Sequence, residues 1–230
     1  MPETTKPLNW KPVPRPGATT LRGRYVTLEP LDATRHGEAL FEAVKGHDEL
    51  WTWLAAVPEA NAAKMMEHLE HWQETERAML LAIIPADTGR AAGHASYMRI
   101  KPAHGVIEVG NVLFAPALQR TRAATEAMYL MARHVFEDLG CRRYEWKCNA
   151  LNEPSRRAAL RLGFTFEGIF RQHMVAKDRN RDTAWFSMLD YEWPARRRAF
   201  EEWLNPANFD ANGVQRQTLA EITARTPDNF

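Results

Sequence analysis

Apolar residues recur along the chain in two periods, and each change of period marks a new element. Tyr25-Val26-Thr27-Leu28-Glu29-Pro30 alternates with period two and stops at a proline, as a first strand does. Asp32 suits the N-cap of a helix from Ala33 to about Lys45. A short second helix holds Trp51, Trp53 and Leu54. A third runs from Asn61 to about Arg77, with Met65, Leu69 and Trp72 on one stripe. The pattern then turns to strands over Met79 to Pro85, Ala92 to Ile100 and Val106 to Phe114, separated by Asp87-Thr88-Gly89 and by Pro102 to Gly105. Ala124, Ala127, Met128, Met131, Val135 and Leu139 share one face of a long helix that Gly140 ends. A strand from Arg143 to Cys148, a helix from Ser155 to Leu162 and a hairpin of Phe164 to Val175 with Thr183 to Glu192 follow. A meander followed by a helix that crosses to a further strand predicts a mixed α/β sheet.

Composition narrows the function classes. A chain of 230 residues can bury one good core, and 45% hydrophobic with 26% charged residues is ordinary globular usage. A formal net charge of +1 argues against nucleic acid or an anionic membrane as partner. No apolar run spans a bilayer, and no apolar stretch follows the first residues as in a secretory signal. Cys141 and Cys148 are expected in one strand on opposite faces, unable to bridge, which fits a reducing cytoplasm. Residues 1–20, with five prolines, read as an extended arm that Trp10 pins. Residues 194–230 read as a polar helix and a peripheral tail.

Several positions carry possible chemistry. Val112-Leu113-Phe114 ends a buried strand, and Gln119-Arg120-Thr121-Arg122-Ala123-Ala124 leads into the long helix. Such a loop leaves backbone N–H groups free at a helix N-terminus, where an anion is stabilised. Two arginines there are otherwise unfavourable by ~0.3–1 kcal/mol each, which raises the case for a bound anion, although a charge run alone is usually solvated surface. Glu108 lies among apolar strand neighbours, so it is either a carboxylate facing a cleft, able to take a proton, or the partner of a base such as Arg99. Gly110 marks a bulge or relieves crowding by Trp side chains. Asn152-Glu153-Pro154-Ser155 reads equally well as helix capping. His68-Leu69-Glu70-His71 lacks a third ligand, so no metal site is expected.

The order and spacing of these segments, together with Leu162-Gly163-Phe164 and the hairpin from Arg179 to Trp193, resemble the GNAT superfamily of N-acetyltransferases. Within it they resemble the ribosomal-protein N-acetyltransferase-like branch. The resemblance covers about residues 21–193 and is most specific over 106–193. It implies an α/β fold: a mixed, mostly antiparallel central sheet flanked by helices, with a splayed acyl-CoA cleft. It also implies acetyl-CoA as co-substrate and a primary amine, on a small molecule or a protein N-terminus, as acceptor. A homodimer is one possible assembly.

By the same resemblance the cofactor is held by Val112, Leu113, Phe114, Gln119, Arg120, Thr121, Arg122, Ala123, Ala124, Asn152 and Ser155. The implied catalytic groups are Glu108 as base and Ser155 as acid, and the implied acceptor pocket is Trp51, Trp53, His94, Tyr97 and Glu108. Two positions depart from the family pattern. Arg122 stands where a Gly is usual, and Ala159 where a Tyr often protonates the leaving thiolate, which leaves Ser155 or water for that task. The rival reading is a catalytically silent acyl-CoA-binding module.

Overall fold

A computed structural model describes residues 7–226; residues 1–6 of the arm and 227–230 of the tail lie outside the described residues. The strands are β1 (Leu21–Arg22), β2 (Val26–Pro30), β3 (Met79–Pro85), β4 (Gly93–Lys101), β5 (Val106–Phe114), β6 (Arg143–Asn149), β7 (Thr165–Ala176) and β8 (Arg179–Leu189). The helices are α1 (Ala33–Val44), α2 (Ala62–Glu76), α3 (Arg122–Arg133), α4 (Glu153–Arg161), α5 (Trp193–Leu204) and α6 (Leu219–Arg225). The strands form one sheet in the order β1-β2-β3-β4-β5-β6-β8-β7. Its pairs are antiparallel except β5 with β6, which α3 joins as a crossover.

Strand alternation sends one set of side chains to each face. Ile107, Val109, Tyr144, Ala184 and Phe186 join α3 and α5 in the main core, while Leu80, Ala82 and Leu113 join α1 and α2 in a second one. The helices start where the capping chemistry predicts, since Asp32 accepts from the Arg35 amide and Asn61 from the Lys64 amide. The short helix after α1 is a single 3₁₀ turn, Asp48–Trp51, so it stops before Trp53. A π-helical turn, His134–Asp138, carries α3 on to Gly140, whose φ is +68°.

The chain ends pack more closely than polarity alone suggests. Trp10 donates to the Ala103 carbonyl at 2.9 Å and lies against Arg142, so the arm is pinned as expected. Trp193, Phe200 and Trp203 of α5 and Leu219 and Ile222 of α6 are buried in the main core, so the tail is not peripheral. The apolar stripes of these two short helices are simply diluted by arginine and glutamate. Cys141 precedes β6 instead of lying in it, because the chain leaves α3 through Gly140 before the strand begins; both cysteines are free and buried.

Candidate active site

Pairing between β5 and β6 runs from Val106–Arg143 to Val109–Trp146 and stops there, so Gly110–Phe114 and Lys147–Asn149 diverge. A bulge helps to drive them apart: His94 faces Leu113 and Ser96 faces Gly110, leaving Asn111 and Val112 opposite Ala95. Asn111 takes a φ of +47°, and Ser96 Oγ ties down the Gly110 carbonyl at 2.8 Å. The expected bulge is therefore present. A Cβ on Gly110 would collide with Met98 and approach Glu108 Oε1 to 3.4 Å, so the crowding it relieves comes from Met98 and not from a Trp.

The opened strands end at the loop before α3. Thr121 is the N-cap, its Oγ1 accepting from the Ala124 amide at 3.1 Å, and Gln119 Nε2 closes the loop onto the Phe114 carbonyl at 3.0 Å. Arg120 holds a φ of +61°. The amides of Arg120, Arg122 and Ala123 meet no acceptor among the described residues, while their neighbours Gln119 and Thr121 bond within the turn. Free donors at a helix N-terminus fit an anionic diphosphate. The Arg122 side chain turns elsewhere: its guanidinium stacks 4.9 Å from the Tyr25 ring and 4.6 Å from the Phe209 ring. Phe209 belongs to the C-terminal segment that packs beside Trp203. An Arg at this position thus anchors that segment to α3.

At the other end of the cleft lies a charged cluster on the sheet face opposite α3. Glu108 is 2% exposed, with Oε1 accepting from Arg99 at 2.8 Å. A β4 bulge, with Arg99 at φ +46°, brings that guanidinium across to it. Lys147 Nζ lies 2.8 Å from Glu108 Oε2 as an ion pair that is not aligned as a hydrogen bond, so Oε2 keeps a buried lone pair. Lys147 also contacts Glu145 at 2.7 Å and sits 3.7 Å above the Trp185 ring. Arg143 joins Glu145 to Glu167, and Ser187 donates to Glu167 at 2.7 Å. Burial pushes the Glu145 carboxyl up, but hydrogen bonds from Lys147 and Arg143 outweigh it and the net shift is downward. Arg143 itself is raised by its hydrogen bond to Glu167.

The remaining candidates separate cleanly. Asn152 Oδ1 caps α4 by accepting from the Ser155 amide at 3.1 Å, which leaves its NH₂ free to donate. Ser155 Oγ accepts from Trp146 Nε1 at 3.0 Å. An indole only donates, so the Ser155 hydroxyl proton stays available. Burial raises the pKa of the nearby Cys148 thiol. Ala159 is fully buried against the main core, where a tyrosine would overpack.

His94 is buried at the β5 bulge. Desolvation pulls it down to about 4, partly opposed by the Asn111 backbone, so it is neutral at pH 7. Tyr97 is a correction: alternation along β4 points it to the α3 face, where its hydroxyl donates to the Met131 carbonyl at 2.9 Å, and it does not line the Glu108 side. Trp51 is buried and its carbonyl accepts from Lys177 at the β7–β8 turn, at 2.8 Å; Trp53 is exposed.

Sequence reasoning missed Lys147, Glu145, Arg143, Trp185 and Arg181. A signal existed for three of them, since Arg143, Glu145 and Lys147 alternate with Tyr144, Trp146 and Cys148, the mark of a strand with one polar face.

Comparison with known proteins agrees with this fold. Residues 26–165 match the family model described as "Acetyltransferase (GNAT) domain". A GCN5-related N-acetyltransferase from Brucella melitensis is 49% identical, with a TM-score of 0.88 over 94% of this chain and 99% of that one. A probable GNAT acetyltransferase from Chromobacterium violaceum is 42% identical, with a TM-score of 0.78 over 84% and 98%. A putative ribosomal-protein-serine acetyltransferase from Vibrio cholerae, 19% identical, shares the fold at a TM-score of 0.61 over 74% and 97%. No curated protein matches the chain. No helix among the described residues is long and apolar enough to cross a membrane. The chain belongs to the GNAT family of acyl-CoA-dependent acetyltransferases.

Proposed function

We propose that this enzyme transfers an acetyl group from acetyl-CoA to a primary amine by direct attack in a ternary complex. The observation that carries the reading is the pairing of two features along one cleft. Free amides of Arg120, Arg122 and Ala123 lie at its α3 end, and a buried carboxylate oxygen without a hydrogen-bond donor lies at the other. The diphosphate occupies the loop Gln119 to Ala124, and the pantetheine arm runs between Val112-Leu113-Phe114 and Asn152. The thioester carbonyl meets the strand amides at the bulge, where developing negative charge is stabilised. Glu108 accepts the proton that the amine must lose, directly or through one water, with Arg99 and Lys147 fixing its orientation.

Attack forms the amide C–N bond and breaks the C–S bond, and the CoA thiolate takes a proton from Ser155 or from water. No cysteine takes the acyl group in this scheme: both thiols are buried, and burial raises the pKa of each. Free buried thiols also support a cytoplasmic setting.

The test has two arms. Acetyl-CoA at ~100 times its Kd raises stability by ~2.7 kcal/mol, read as an upward shift in Tm, and adenosine alone does not. CoA release over a panel of primary amines exceeds the rate without amine for at least one. A Tm shift with no amine-dependent release would make the protein a silent acyl-CoA binder. No shift would remove the cofactor assignment itself.

A further inference from the structure

The charged face around Glu108 does not balance. Arg99, Lys147 and Arg143 each touch a carboxylate, and Glu108, Glu145 and Glu167 are the three carboxylates they share. Three positive groups are therefore matched by three negative ones. Arg181 on β8 is the surplus. It is half-buried, within electrostatic reach of Arg99, Glu108 and Cys148, and makes no ion pair or hydrogen bond among the described residues.

Its Nε is fully buried and without an acceptor, and so is Trp185 Nε1 on the same strand. Trp185 and Arg181 lie at even spacing on β8, so both belong to the face that carries Lys147 and Glu108. Burial lowers the Arg181 pKa and the Arg99 charge adds to that, against weaker support from Cys148 and Glu108. An unpaired, partly desolvated guanidinium within electrostatic reach of a second one is unfavourable on its own and is relieved by an anion. Its planar fork suits a carboxylate.

Resting on the acetyl-transfer reading above, we propose that Arg181 recognises a carboxylate carried by the amine acceptor. The acceptor class is then a primary amine with an acidic group close by, either a protein N-terminus followed by an acidic residue or a small amino acid. The cofactor's own anionic groups are assigned to the α3 loop, so this contact selects the acceptor.

The test measures CoA release with matched pairs. The peptide pair begins Ser-Glu or Ser-Gln; the small-molecule pair is 4-aminobutyrate and butylamine. The carboxylate-bearing member of one pair or both has a kcat/KM about ten- to a hundredfold higher, carried mainly by KM, and the pair that responds identifies the source. Arg181→Gln and Arg181→Met bring that ratio close to one and leave the Kd of acetyl-CoA unchanged. Arg181→Met keeps or raises Tm, because an unpaired charge is removed, whereas a purely structural arginine would lower it. Equal or faster turnover of the neutral members overturns this inference alone, as does a ratio that survives in the variants. Weaker acetyl-CoA binding in both variants also overturns it, since Arg181 would then serve the cofactor. No release with any acceptor takes down the acetyl-transfer reading and this inference together.

Discussion

At the α3 end of the cleft the unpaired donors are backbone amides, whereas at the Glu108 end the polar groups are side chains drawn from β4, β5, β6 and β8. The first end is held by local turns: Thr121 caps its own helix, Gln119 reaches the Phe114 carbonyl, and the free donors are consecutive or nearly so in the chain. The second end exists only because the sheet order brings Arg99, Glu108, Lys147 and Arg181 together from distant segments. A site made of amides tolerates side-chain changes and does not titrate. A site made of ionised side chains is sensitive to both.

The largest expected difference is therefore kinetic. Glu108→Gln lowers kcat by ~10²–10⁴-fold, the usual cost of losing a general base. The Kd of acetyl-CoA measured by calorimetry stays close to wild type, because the phosphate end is built separately. The defect shrinks as pH rises, since more of the amine is already neutral. Wild-type turnover at neutral pH would make Glu108 a structural partner of Arg99 and Lys147. A large loss of acetyl-CoA affinity would show that the two ends are one unit.

The same contrast explains what was legible in the sequence. β3, β5 and the bounds of α1 and α2 follow from period-two and period-3.6 patterns with Asp32 and Asn61 as caps, all local signals. The α3 loop was legible for the same reason, as was the bulge at Gly110. The Arg99–Glu108 pair was one of two readings, and the structure shows that pair with Lys147 added. Lys147, Trp185 and Arg181 were not legible as site residues, because the β6–β8 register sets Lys147 opposite Trp185 and alternation along β8 carries Arg181 to the same face, a long-range property. Tyr97 was misplaced for a related reason. A β4 residue near the cleft in sequence can point to either face, and alternation from Ala95 puts it toward α3. The stack around Arg122 was invisible because Phe209 lies far along the chain.

Acid should separate the two ends next. His94 is buried neutral, with a folded pKa of about 4 against an ordinary 6.5. The unfolded chain binds the extra proton first, so the His94 contribution is complete above pH 6.5 and is lost as pH falls toward 4. Between pH 7 and 4.5 the loss is about 2–3 kcal/mol. Glu145 and Glu167 have the opposite kind of partner, cations that lower their pKa, so their contribution is lost only further down, as pH falls below an ordinary 4.5. Tm measured from pH 7 to pH 4.5 therefore declines in wild type and is flatter in His94→Gln, whose side chain does not titrate. Parallel profiles for the two proteins would mean that His94 is protonated in the fold.

The smallest expected effect tests the cofactor end, where a side chain is asked to contribute little. Arg122→Gln removes the charge and keeps a good helix former at the first position of α3. Its guanidinium lies between Tyr25 and Phe209, so the substitution loses two cation–π contacts, about 1 kcal/mol of stability in all at this half-exposed site. The Arg122 amide stays, and with it the donor proposed for the diphosphate. Denaturant melts should therefore show the lower stability while calorimetry gives a CoA affinity within about threefold of wild type, a difference below ~1 kcal/mol. CoA binding that weakens tenfold, and less so at high salt, would put the Arg122 charge on the phosphates and make the α3 end a side-chain site as well. An equal loss for CoA and dephospho-CoA would assign that charge to the diphosphate, and a loss for CoA alone to the ribose phosphate.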